Sequence, residues 1–274
     1  MLKLVNKIQF EPNENKMKIV ADTDQAIRIF NSKKSKNLSY LLEKRFNWMN
    51  KFINYKDVGI EFGSGAGFAK HFIKNKNFKM SDLSNDKHLD YKGVDAQDTK
   101  FSDNTFNYII ASNMIHHIPY PIKFFREMNR ILKNDGKLIV FESYCSLIFQ
   151  LVTIIMKHEG FDFTKDVWDE QTPKSDEKNA WAGNIAVPHL IFDDKKIFEK
   201  NLGNLFSIDY EELTECLIFL NSGGVTSKTF HIPLPIPLLN TLNYIDKFLV
   251  KIAPNVFGMG RRIVLRKKSF LNSN

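Results

Sequence analysis

The chain has 274 residues, enough for one α/β domain with a sizeable core or one domain carrying insertions. Its 43% hydrophobic and 26% charged content is ordinary for a soluble globular protein. Cys145 and Cys216 have no CxxC partner and no nearby histidine cluster, which argues against a disulfide framework and a zinc site and for a reducing, cytoplasmic setting.

The formal net charge is +8, and much of the excess is lysine mixed with asparagine, as in "NSKKSKN" and "FIKNKNFKM". Two readings stay open: a compositional habit, or a basic face for a nucleic acid or an anionic membrane surface. The first residues lack the apolar run of a signal peptide. The longest apolar stretch, "LIFQLVTIIM", is too short for a bilayer span, which takes about 20 residues.

Residues 1–32 are polar and carry no clear pattern. From Lys33 to Phe52 the apolar positions Leu38, Leu41, Leu42, Phe46, Met49 and Phe52 recur at helical spacing and predict an amphipathic helix. A strand "DVGIEF" follows, then a glycine turn, then a helix "AGFAKHFIKN". "FKMSD" and "YKGVDA" read as a second and a third short strand, and "FNYIIAS" as a fourth. Pro119 and Pro121 lie near the start of a helix through "IKFFREMNRIL", because proline is tolerated in a first helical turn. "KNDG" ends that helix, and "KLIVFES" is a fifth strand.

Alternating strands and helices imply an α/β fold with a doubly wound, mostly parallel sheet. Right-handed crossovers bring the ends of the first four strands to one edge. After Glu142 the pattern loosens. "ELTECLIFL" reads as a late strand and "RRIVLRKK" as the last one, while the prolines of "HIPLPIPLL" exclude a central strand. The expected organisation is an N-terminal segment 1–54, a ligand-binding core 55–146, a cap insertion 147–205, and late strands with a Pro-rich insertion over 206–274.

The glycine turn is "GIEFGSGAGF", with Glu61 two places before Gly63, and with Gly65 and Gly67 beyond. Strand, glycines and helix N-terminus together make a site for an anion or a polar ligand. The dinucleotide fingerprint wants its third glycine at position 68, which is Phe68, and no Gly-Lys-Ser/Thr follows for a P-loop.

The pattern E-x-G-x-G-x-G resembles the first signature of class I S-adenosylmethionine-dependent methyltransferases. That resemblance extends over about residues 55–145 and is closest to the small-molecule branch called type 11. It rests also on Asp82 in "KMSDLS", on Asp95 and Ala96 in "GVDAQD", on "NYIIASNMIHHI" and on "FFREMNRILKNDGKLIVFES". Asn134-Asp135-Gly136 departs from the family's more usual Lys-Pro-Gly-Gly type of turn.

The resemblance implies a Rossmann-like methyltransferase fold with a seven-stranded sheet and cap insertions, and S-adenosyl-L-methionine as cofactor. It implies that Gly63, Ser64, Gly65 and Gly67 let the methionine portion approach, with Glu61 near its amino group. Asp82 and Leu83 would meet the ribose, Asp95 and Ala96 the adenine, and Asn113 the cofactor or the acceptor.

A hydroxyl acceptor needs a base, and His116 and His117 follow the fourth strand where the methyl group should project. His158 is a further catalytic candidate. Glu142 and Tyr144, at the exit of the fifth strand, and Trp168 are expected at the substrate, and Trp181 is a second aromatic candidate there. No metal site is expected, because the spacing of Glu159 and Asp162 is not a recognisable carboxylate site.

The motifs of exocyclic-amine and C5 DNA methylation are missing from "SNMIHH" and "SYCS", so DNA is not expected as a substrate. The tail from "FLNSGGV" onward resembles, more weakly, methyltransferases of bacterial surface-polysaccharide clusters. That implies a small-molecule or saccharide acceptor methylated at oxygen. The cationic surface and the apolar segments "LIFQLVTIIM" and "IPLPIPLLNTL" would suit peripheral contact with a membrane surface, and core or cap packing is the alternative for both segments. The alternatives are a non-catalytic cofactor-binding protein on the same fold and an RNA methyltransferase.

Overall fold

A computed structural model describes residues 9–11, 23–32, 36–157, 159–226 and 228–269. Seven strands form the main sheet: β1 (Gly59–Phe62), β2 (Phe78–Asp82), β3 (Tyr91–Lys92), β4 (Phe106–Ser112), β5 (Leu132–Ser143), β6 (Phe206–Thr214) and β7 (Gly260–Lys267). Their spatial order is β3-β2-β1-β4-β5-β7-β6. The first five strands are parallel, and β7 runs antiparallel to both β5 and β6. The strand order reverses between β1 and β4, so their carboxyl ends flank a crevice, the place where open α/β sheets bind ligands.

Period-two alternation divides the central strands between two apolar layers. Ile109, Ala111, Leu138 and Val140 face one core with α3 (Pro121–Ile131), α5 (Val187–Phe192) and α6 (Lys195–Leu202). Tyr108, Ile110, Ile139 and Phe141 face the other, which is covered by α1 (Thr23–Ser32), α2 (Lys36–Phe46) and the 3-10 turns at Asn47–Phe52 and Phe68–His71. The cap adds α4 (Leu147–Met156), and its Phe161–Asp162 pairs with Gln9–Phe10. The C-terminal third adds α7 (Leu217–Leu220), α8 (Ile236–Ile252) and α9 (Pro254–Phe257).

Several elements differ from the sequence expectation, the first two because of hydrogen bonds from side chains distant in the chain. The helix expected over "AGFAKHFIKN" is only a 3-10 turn at Phe68–His71. The Asn50 side chain takes the Phe72 carbonyl and the Lys74 N–H, and Asn75 Nδ2 ties down the carbonyls of Asn54, Tyr55 and Asp57. These side chains replace the backbone bonds that a helix would need.

The late strand expected over "ELTECLIFL" ends at Thr214, and Leu217–Leu220 is helical. The buried Asp246 carboxylate, carried by α8, accepts the N–H groups of Cys216, Leu217 and Ile218 and so starts that turn. "KNDG" does not break the chain before β5. It forms an irregular start to the strand, with Asp135 at φ 59 and a register shift opposite Phe106 and Tyr108. The helix expected from Lys33 to Phe52 is α2 followed by a 3-10 turn, and α1 stands where no element was expected.

Gly59 carries one packing constraint. It sits opposite Tyr108 in the β1–β4 register, and a Cβ there would lie 2.0 Å from Tyr108 Cζ. The Tyr108 ring is fully buried and has no room to withdraw. Gly59→Ala is expected to lower stability by about 1–3 kcal/mol. The check is a lower urea midpoint at unchanged slope.

Candidate active site

The glycine turn joins β1 to the Phe68 turn with three left-handed residues, Gly63 at φ 66, Gly65 at φ 48 and Gly67 at φ 72. A Cβ on Gly65 would meet nothing within 4 Å, because that position faces open space, whereas one on Gly67 would strike His88 at 2.8 Å. Gly65 is therefore the point where a ligand can approach the backbone, and Gly67 shapes the turn. His88 Nε2 lies 2.7 Å from the Gly65 carbonyl and holds the turn from the far side.

A cavity of about 540 Å³ opens at this edge, with Glu61, Gly63, Ser64 and Gly65 in one wall and Asp82, Leu83, Asp95 and Ala96 in another. Asp82 is fixed by the N–H groups of Gly65 (2.8 Å) and Ser84 (2.9 Å), one on each carboxylate oxygen. Asp95 Oδ1 accepts the Gln97 N–H at 2.8 Å. Glu61 is 2% exposed, and its Oε2 has no partner among the described residues. Burial pushes the Glu61 carboxyl up to about 8, and the Asp82 charge adds to this against a hydrogen bond from Ser64. Asn113 and His117 close the floor. Asn113 sits at φ 51, a left-handed position that asparagine tolerates.

A second cavity, of about 390 Å³, lies beside the first. Arg45, Asn113, His117, Trp181, Val225 and Thr226 line both. Its own walls are mostly apolar and come from outside the core: Phe149, Val152 and Met156 of α4, Phe219 and Leu220 of α7, and Phe230.

The two histidines behave differently. His116 Nδ1 is 2.7 Å from Glu142 Oε2, and its Nε2 is 3.3 Å from Glu159. Burial alone would lower its pKa, but Glu142 and Glu159 reverse this and push it up to about 10. His117 is pulled down to about 4, by burial first and by His116 second. His116 is thus a buried cation and His117 a neutral imidazole at the junction of the two cavities. The ligand atoms of His116, His117 and Glu159 lie within 4.8 Å of one another, a spacing that can hold a cation and that the sequence reading did not find.

Other expected positions fall elsewhere. His158 lies outside the described residues. Glu142 lines neither cavity: it is fully buried beneath them and accepts the Ile115 N–H as well as His116. Tyr144 also misses both cavities, because its ring packs against Arg261 and His189 and its hydroxyl bonds Asn255. Trp168 packs against the main core, while Trp181 lines both cavities.

Arg45 was not anticipated. Its guanidinium lies 4.9 Å from the rings of both Phe141 and Phe219, and its Nε reaches Glu215 at 3.1 Å. The signal was present: Arg45 occupies the buried stripe Leu38-Leu41-Leu42-Arg45-Met49 of the α2 region, where an apolar residue is the rule.

Residues 30–180 match the family described as a methyltransferase domain. The chain belongs to that methyltransferase family. Among curated relatives, an uncharacterized protein of Methanocaldococcus jannaschii is 27% identical over 76% of this chain and 78% of its own length. The demethylmenaquinone methyltransferase of Staphylococcus carnosus is 27% identical over 43% of this chain and 46% of its own length. Among solved structures, a SAM-dependent methyltransferase from Archaeoglobus fulgidus aligns over 83% of this chain and 93% of its own, at 13% identity and a TM-score of 0.49.

The Glu61 environment gives a pH-dependent prediction for this methyltransferase. Its folded pKa is raised, so its contribution to stability is fully present below the ordinary 4.5 and is lost as pH rises through about 8. Glu61→Gln removes that dependence. The wild type should lose stability relative to Glu61→Gln, by a few kcal/mol in all, as pH rises across this window. Urea midpoints of the two proteins across that range are the check, and parallel curves would show that Glu61 does not titrate there.

Proposed function

We propose that the protein transfers a methyl group from S-adenosylmethionine, held in the first cavity, to a hydroxyl of an acceptor held in the second. The observation that carries this reading is the contact between an acid-lined cavity at the glycine turn and an apolar cavity, with a neutral histidine in the wall they share. When bound, S-adenosylmethionine supplies a methyl group already activated on a sulfonium.

The residues present fit that group. The unpartnered, fully buried Glu61 Oε2 suits an ammonium, which would also draw the carboxyl back to its charged form. Asp82 is oriented by two backbone N–H groups and keeps lone pairs for the paired hydroxyls of a ribose. Asp95 and Ala96, on the same side, would meet the adenine. Ser64 and Gly65, in the same cavity wall, would supply the close backbone approach, and Leu83 would meet the ribose.

His117 is the residue we assign as general base. Methylation of a neutral hydroxyl makes it strongly acidic as the new bond forms, so a weak base suffices. His117 stays unprotonated at neutral pH because burial disfavours its charged form, and the charged His116 beside it adds to this. Glu142 is a positioning residue, since it holds His116 and touches neither cavity. Asn113 and Trp181 orient whatever spans the junction.

The acceptor that suits a mostly apolar cavity with a few polar groups, among them Ser143, Ser222, Thr229 and Glu159, is an amphiphile. We assign it as a saccharide or similar hydroxylated head joined to a lipid.

Asp82→Ala should weaken cofactor binding roughly 10- to 100-fold, since a lost charged hydrogen bond costs about 1.5–3 kcal/mol. Calorimetry with the cofactor is the check, and unchanged affinity would remove Asp82 from the site. His117→Gln should leave that binding intact and lower methyl transfer about 10²–10⁴-fold, measured with labelled cofactor and lipid-linked saccharides. The wild-type rate should stay flat through the ordinary histidine range and fall only towards about pH 4. Loss of transfer on chelation would instead assign proton removal to a cation held by His116, His117 and Glu159.

A further inference from the structure

The exposed apolar side chains of this protein are concentrated in one region. Leu147, Leu151, Ile154 and Ile155 stand out from α4, and Ile155 is 74% exposed. Leu238, Tyr244, Ile245, Phe248 and Ile252 stand out from α8, with Phe230 and Ile232 just before it. At about 100° per residue, each helix collects these positions on one band roughly 100–120° wide.

The opposite face of each helix is occupied. Phe149, Val152 and Met156 of α4 line the second cavity, and Leu239, Asp246 and Val250 of α8 are buried. The short helix α9 lies between them, packing against both α4 and α8. Phe230, 87% exposed, is also part of the cavity wall, so the cavity opens at this apolar region.

The exposed charges carried by α4, α8 and the segment before α8 have one sign. Lys157, Lys228, Lys247 and Lys251 are exposed on these segments. The acid within α8, Asp246, is buried and spent on three backbone N–H groups of α7. Water is a poor neighbour for such a surface, and an acidic protein partner would find lysines only at its edge. An anionic bilayer supplies both things that the region lacks, an apolar layer and a negative headgroup plane.

We propose that α4, α8 and the Phe230 segment dock the protein on an anionic membrane surface, so that the lipid part of the acceptor enters the second cavity directly from the bilayer. The inference rests on the reading of that cavity as the acceptor site. The docking helices lie in the interface and do not cross it: among the described residues no helix is long and apolar enough to span a membrane.

The test is co-sedimentation of the full chain with vesicles of phosphatidylcholine, alone or mixed with phosphatidylglycerol, with cofactor binding measured on the same samples. Binding to the mixed vesicles is expected to exceed that to neutral ones by about tenfold or more. It should be lost in a variant carrying Leu151→Ser, Ile155→Ser, Phe248→Ser and Ile252→Ser, and weakened by Lys157→Glu with Lys247→Glu and Lys251→Glu. Both variants alter exposed positions outside the cavities and should bind cofactor like the wild type.

No vesicle binding by protein that still binds cofactor overturns the docking face and leaves the site reading intact. Absent cofactor binding overturns the site reading itself. A dimer in solution that the serine variant dissociates, with no vesicle binding by the wild type, assigns the face to a second copy of the chain and overturns the proposal.

Discussion

An ionisable carboxyl buried at the end of a strand is stable only if a proton or a cation reaches it. Glu61 is in that position, with one oxygen unpartnered, at the point where β1 turns into the glycine loop. The loop cannot move aside to hydrate it. Gly63 is packed against Met114, Gly67 against His88, and the Ser64 N–H is bonded to the Ser81 carbonyl. The glycine turn and the strand order thus keep a carboxyl dry at the one place where the backbone is open to a ligand. An ammonium brought there stabilises the charged carboxylate, and the Asp82 carboxylate beside it has backbone N–H partners of its own. The cofactor cavity depends on this arrangement more than on any single contact area.

The boundary between the two cavities follows the same electrostatic logic. His116 lies between Glu142 and Glu159, and Arg45 lies between Glu215 and two aromatic rings. Each buried cation has a buried carboxylate, which is the condition under which buried charge is tolerated. His117 is left neutral, since burial disfavours its charged form and the positive charge on His116 adds to this. A structural ion pair therefore reinforces the neutral state that burial imposes on the neighbouring side chain, which lines both cavities.

Much of the cofactor side was legible in the sequence. Its residues sit at strand ends, where a short apolar run followed by Gly or Asp is a local pattern. Glu61, Gly65, Asp82, Asp95 and Asn113 all reach the first cavity, each within a few residues of a correctly read strand. What was not legible depended on chain-distant partners. Asn50 and Asn75 undo a helix that looked well formed, and Asp246 starts one in what looked like a strand. Glu142 and Tyr144 were expected at the site because β5 ends at the right edge. The structure turns both side chains into contacts beneath or beside the cavities, a choice that strand periodicity does not encode. Arg45 is the reverse case, since one charge in an apolar stripe was a visible anomaly whose meaning required its partners Glu215, Phe141 and Phe219.

The second cavity follows a different principle, because little of it is built from the sheet. Its wall is largely a single layer of helix, and α4 shows what that entails: Phe149, Val152 and Met156 face the cavity while Leu147, Leu151, Ile154 and Ile155 face outward. A helix that is apolar on both faces is stable in water only if something covers its outer side. The inner face can change to fit another acceptor without touching the cofactor cavity, and the outer face can change without touching the acceptor. The junction residues Asn113, His117 and Trp181 have no such freedom, since each borders both cavities at once. The two cavities are therefore separated by one layer of side chains, and the second is separated from the surroundings by one helix.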